Sequence, residues 1–120
     1  MEEIKDDLSL KDLSDYRGTN GYFNIMGFNA TDGIGYIMKN GYSWFVIDFL
    51  SVAMFKVKDK WKDEGFICVK LKVSEDKSAL MDVTDGNEHE LYTQKYTFTN
   101  AQKDLTLYLI DGVLLLSSEY

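Results

Sequence analysis

The apolar residues change period once, near the middle of the chain. From Phe66 onward they alternate with polar ones: in FICVKLKV (66–73), Ile67, Val69, Leu71 and Val73 point one way and Cys68, Lys70 and Lys72 the other. Successive strand residues face opposite sides of a sheet, so this pattern predicts a half-buried antiparallel strand. SEDK (74–77) reads as a turn, after which Ala79, Met81 and Val83 resume the alternation. ELYTQKYTF (90–98), DLTLYLI (104–110) and VLLLSS (113–118) complete about five strands. Asp85-Gly86 and Asp111-Gly112 carry the chemistry of type I′ hairpin turns, because glycine accepts positive φ at little cost.

Before Phe66 the spacing is helical. Thr31 and Asp32 are N-cap residues, and Ile34, Ile37 and Met38 fall at i, i+3 and i+4. They predict a short helix from about Asp32 to Lys39, ended by Asn40-Gly41. Tyr42 to Phe55 is apolar almost all round and long enough to favour a helix over a strand. A helix of that kind must be covered on nearly every face. The stretch YFNIMGF (22–28) is aromatic and apolar without a clean period, and its structure stays open. Residues 56–65 form a charged connector holding an isolated Trp61. The predicted fold class is α+β: N-terminal helices, one of them buried, packed on an antiparallel β-meander of about five strands, in a single domain spanning 1–120.

Residues 2–15 hold six acids against Lys5 and Lys11, so 1–16 is expected to be a solvated, loosely docked acidic segment, with Ser9 capping a short helix toward Tyr16. It lacks the basic and long apolar regions of a secretory leader, and the Tyr42–Phe55 run is too short to span a bilayer, which predicts a cytoplasmic location with no membrane partner. The chain contains no proline to blunt a sheet edge, which leaves a monomer or a weak homodimer open.

Composition narrows the chemistry. The 120 residues include 20 acids and 13 bases, a net charge of −7, which disfavours direct contact with nucleic acid and favours a basic protein partner. With one cysteine, Cys68, and one histidine, His89, there is neither a disulfide framework nor an N/S-type structural zinc site. Gly33-Ile34-Gly35 lacks the third glycine of a dinucleotide fingerprint, and no P-loop is present. Asp82 to Glu88 resembles a calcium loop only superficially, since Met81 and Val83 stand where oxygen ligands are required. No catalytic residue, metal or cofactor is expected, and the chain reads as a non-enzyme.

Three features remain as candidate sites. Asp48 interrupts the apolar helix, where an unpaired carboxylate would cost several kcal/mol. It is either bonded to backbone or tyrosine hydroxyls, or the acid of a ligand pocket with Tyr42 and Trp44. Trp61 either caps the core edge or is an exposed binding anchor. Between 75 and 90, six acids stand against Lys77. If most of Glu75, Asp76, Asp82, Asp85, Glu88 and Glu90 lie at one end of the sheet, they join the acidic N-terminal segment in a negative field able to occupy a basic channel; otherwise they are ordinary solubilising charge.

The order Arg17-Gly18-Thr19 to Gly21-Tyr22, Thr31-Asp32-Gly33 to Tyr36, YSWFVID (42–48), Asp85-Gly86-Asn87, LYTQ (91–94) and LYLIDGVLLL (107–116) resembles a family of small proteins of bacteria, phages and mobile elements. The resemblance covers most of the chain beyond residue 16 and carries no assigned catalytic residues. It extends to candidate anti-CRISPR inhibitors of RNA-guided, RNA-cleaving effectors. What it implies is a small acidic inhibitor or interaction protein acting on a basic nuclease. The alternative is a small-ligand binding module.

Overall fold

The computed structural model describes residues 21–59, 62, 65–86, 89–101 and 103–120. The acidic segment 1–16, Trp61 and Glu88 lie outside the described residues.

The element order is β1 (Phe23–Ile25), β2 (Phe28–Ala30), α1 (Asp32–Ile37), α2 (Ser43–Phe55), β3 (Phe66–Val73), β4 (Ala79–Thr84), β5 (Glu90–Tyr96), β6 (Leu105–Ile110) and β7 (Val113–Leu116). The α+β class holds, but the meander is replaced by a seven-stranded sheet ordered β1-β2-β7-β6-β3-β4-β5. Two features depart from the five-strand expectation. The stretch left open at 22–28 begins a tight hairpin, with Met26 (φ 55°) and Gly27 (φ 90°) supplying its two positive-φ positions. After β5 the chain returns to the other side of β3, so β3 is flanked by β4 and β6, and β7 then pairs in parallel with β2 through Asn29↔Val113 and Ala30↔Leu114.

The helical region forms in two pieces for a backbone reason. Asn40 (φ −111°, ψ 28°) and Gly41 (φ 99°) break the helical geometry between α1 and α2, at the expected Asn-Gly stop. The Asn40 amide donates to the Tyr36 carbonyl at 2.8 Å, and the Ser43 hydroxyl donates to the Met38 carbonyl at 2.9 Å. These side chains satisfy carbonyls that the break would leave without partners.

Alternation then builds the core. Ile67, Val69 and Leu71 of β3, Met81 and Val83 of β4, Leu105, Leu107 and Leu109 of β6, and Leu114 and Leu116 of β7 are buried together with Ile34 and Ile37 of α1 and Phe45, Val46, Phe49, Leu50 and Ala53 of α2. Each of these side chains other than that of Ala53 contributes ~1.5–3 kcal/mol by leaving water. The expectation that α2 is covered on nearly every face is corrected: Ile47 is 38% and Phe55 75% exposed, because the sheet covers only one side of the helix.

Turn chemistry is right in one of the two predicted hairpins. Asp111 (φ 51°) and Gly112 (φ 83°) form the two-residue turn between β6 and β7. At Asp85-Gly86 the connection is instead the longer loop 85–89. Asp85 organises it, accepting from the His89 backbone N–H at 3.2 Å while its own N–H donates to the His89 carbonyl. Gly86 has φ 85°, and a Cβ there would lie 2.3 Å from the Phe66 ring, so the loop needs glycine for both conformation and space.

Candidate functional site

Three groups of side chains could carry function, each set by a different element. The first lies where α2 meets the edge strand β5. Asp48, half-buried on α2, accepts a hydrogen bond from the Tyr96 hydroxyl at 2.9 Å. Trp44, one turn earlier, meets the Tyr96 ring edge-on at 5.0 Å and stacks near Tyr42 at 6.5 Å. Burial, and then the Asp48 carboxylate that accepts its proton, hold the Tyr96 phenol well above its ordinary pKa. Tyr42 is fully buried, and its hydroxyl accepts the Lys103 N–H at 3.3 Å. The structure therefore brings Tyr42, Trp44 and Asp48 together, with Tyr96 as the member that sequence reasoning missed. Chemically this group ties helix to sheet.

The acids form two groups, not one. Glu75 and Asp76 occupy the β3–β4 turn, and Asp85 and Glu90 flank the β4–β5 loop. These lie at opposite ends of β4, whose six residues span about 20 Å. Among the described acids, Glu75 and Asp76 therefore stand apart from Asp85 and Glu90. Asp76 accepts the Ser78 hydroxyl at 2.6 Å and the Ser78 N–H at 2.9 Å, and these bonds, the hydroxyl first, lower its carboxyl pKa. Asp85 is turned inward, only 12% exposed at its side chain, with its second oxygen 2.8 Å from Nδ1 of His89.

The third group was missed as a site, although the alternation had already set its members outward. On the sheet face opposite the helices, a concavity of about 510 Å³ is lined by Phe66, Cys68, Lys70, Lys72, Asp82, Thr84, Gly86, Glu90 and Tyr108. Cross-strand register aligns them, with Cys68 opposite both Thr84 and Tyr108 and Lys70 opposite both Asp82 and Thr106. The Phe66 and Tyr108 rings are 5.4 Å apart, and Tyr120 meets Tyr108 edge-on at 5.5 Å. Burial pushes the Cys68 thiol above its ordinary pKa, with Lys70 and the Thr84 hydroxyl working against that shift, so this cysteine is a poor nucleophile. Oδ1 of Asp82 is buried and has no hydrogen-bond partner among the described residues.

One further carboxylate had no sequence signal. Glu119, 8% exposed, accepts from the Thr31 hydroxyl at 2.6 Å, the Leu116 N–H at 2.9 Å and the Gly33 N–H at 3.1 Å. It fastens the start of α1 to the end of β7. Gly33 is required by the approach, because a Cβ there would stand 2.6 Å from the carboxylate.

A family model matches residues 7–120, nearly the whole chain and all of the elements above. The chain belongs to the family of unknown function DUF6876. No curated protein and no solved structure matches it. For a DUF6876 member the geometry is thus the main guide to chemistry. Among the described residues, no group of three or more His, Cys, Asp or Glu side chains is arranged to hold a metal ion. No helix among them is long and apolar enough to cross a membrane.

Proposed function

We propose that this DUF6876 protein is an interaction protein that acts by binding rather than by turnover, with a cationic protein as its partner. The observation that carries the reading is that the groups best suited to chemistry are engaged in holding the fold. Asp48 holds Tyr96, Asp85 organises its loop and contacts His89, Glu119 ties α1 to β7, and burial raises the Cys68 thiol. The net charge of −7 supports a basic partner, and the division of acids between the two ends of β4 supports contact at two points instead of one. The finer reading, inhibition of an RNA-guided, RNA-cleaving nuclease, rests on the family resemblance.

The test is capture of partners from a host lysate on tagged protein at 50 mM and 500 mM salt, identified by mass spectrometry. A basic nucleic-acid-handling protein retained only at low salt is the expected outcome, since salt at the higher level screens charges beyond about 5 Å. Neutralising Glu75 and Asp76, or Glu90 alone, should each weaken capture in part. A partner whose retention ignores both salt and these substitutions would rule out the electrostatic reading.

A further inference from the structure

The concavity on the outer sheet face combines an aromatic floor, an unpaired acceptor and two unpaired cations, and we propose that it binds a guanine mononucleotide. This goes beyond the interaction reading and does not depend on it, because it is argued from Phe66, Tyr108, Asp82, Lys70 and Lys72; of the acids assigned to the partner surface, Glu90 also lines the concavity. Phe66 and Tyr108 are half-buried on neighbouring strands of a sheet face that no described helix covers. Aromatic side chains in that setting stack bases.

Asp82 sets the choice of base. It lines the groove one register row from Cys68 and Tyr108, and its buried Oδ1 has no donor among the described residues. Aspartate χ2 is broad and two-fold, so rotation about it can present both oxygens to a ligand. Guanine carries two adjacent donors, N1–H and the exocyclic amine, which a carboxylate accepts as a pair. Adenine and cytosine set one amine beside a ring acceptor that would repel the second oxygen, and uracil flanks its one N–H with carbonyls.

Lys70 stands opposite Asp82, and Lys72 is two residues further along β3, about 7 Å away. Both are exposed, and neither side chain forms an ion pair or hydrogen bond with another described residue. They are placed to neutralise a phosphate on a base stacked at Tyr108. The net charge of −7 opposes a long polyanion, but two local lysines suffice for one phosphate, which favours the mononucleotide over a strand.

Isothermal titration of the full chain at low salt with GMP, AMP and guanosine tests this. GMP should bind ~10-fold more tightly than AMP, as a paired-donor contact discriminates. Asp82→Asn should abolish that preference, and Lys70→Gln with Lys72→Gln should bring GMP down to the affinity of guanosine. The lysines are exposed, so their variants keep the test open if Asp82→Asn does not fold, and Asp48→Asn on the helix-covered face should change neither result. Absence of heat with GMP, equal affinity for GMP and AMP, a preference that survives Asp82→Asn, or tighter binding of a guanine-containing RNA hexamer than of GMP would each overturn the proposal.

Discussion

Removing the Glu119 carboxylate should be among the most damaging single changes available outside the apolar core. In Glu119→Ala, the Thr31 hydroxyl and the N–H groups of Gly33 and Leu116 lose their acceptor at once, in a place water barely reaches. A hydrogen bond to a charged group is worth ~1.5–3 kcal/mol, and each orphaned donor costs ~1–3 kcal/mol. The terms are not additive, and removing the carboxylate also removes its own desolvation cost, so the net loss is about 3 kcal/mol. A domain of this size has about 5–15 kcal/mol in total. Glu119→Gln should cost less, about 1–2 kcal/mol, because one amide oxygen still accepts from Thr31 and Leu116 while the amino group meets the Gly33 N–H. Urea unfolding followed by tryptophan fluorescence measures all three proteins, and the melting temperature of Glu119→Ala should fall by roughly 10 °C. A Glu119→Ala variant within 0.5 kcal/mol of the parent would show that the carboxylate does not anchor α1, and would refute the reasoning.

Other perturbations follow from the same geometry. Tyr96 holds its proton more firmly folded than unfolded, so its contribution is complete below about pH 10 and is lost as pH rises through the folded value. Alkaline unfolding should therefore start later in Tyr96→Phe, which at neutral pH should itself cost about 1 kcal/mol through the lost Asp48 bond, both measured by denaturant titration across pH. Gly86→Ala forces a Cβ against the Phe66 ring at positive φ and should destabilise by about 1–3 kcal/mol in thermal unfolding, whereas Gly112→Ala, with open space around it, should lose only the smaller conformational part. The Cys68 thiol should react slowly with Ellman's reagent at pH 8 in native protein and at the rate of a free thiol in urea; fast reaction in the native state would contradict its burial.

Local order was legible in the sequence where a repeating pattern ran for several residues. The eight alternating positions of β3 and the apolar run of α2 told their own structures, and Asp111-Gly112 told its turn. What stayed hidden was short or non-local. β1 and β2 have three residues each, too few for a period to stand out. The β2–β7 pairing joins Ala30 to Leu114 with nothing in either segment to announce it. The same limit governed the sites. Asp48 was visible because it broke a pattern, but its partner Tyr96 sits 48 residues away. Glu119 follows a strand as one of several small or polar residues, and its partners Thr31 and Gly33 lie more than 80 residues away. The acids from 75 to 90 look like one cluster in a line of text, yet a strand of six residues holds their halves apart.

The parallel junction of β2 with β7 has a consequence for how the chain is made. The first hairpin and α1 are made early, but their strand partner and the carboxylate that secures them lie some 80 residues later, between Val113 and Glu119. The core must therefore wait beside an incomplete sheet until β6 and β7 have been made, because Leu105, Leu107, Leu109, Leu114 and Leu116 belong to the same buried cluster as α2. Contacts of such long sequence separation fold slowly, and in that interval the nascent chain presents exposed hydrophobic surface of the kind chaperones hold. Synthesis of β7 and Glu119, not of α1 itself, sets the moment at which β2 and the start of α1 can be secured.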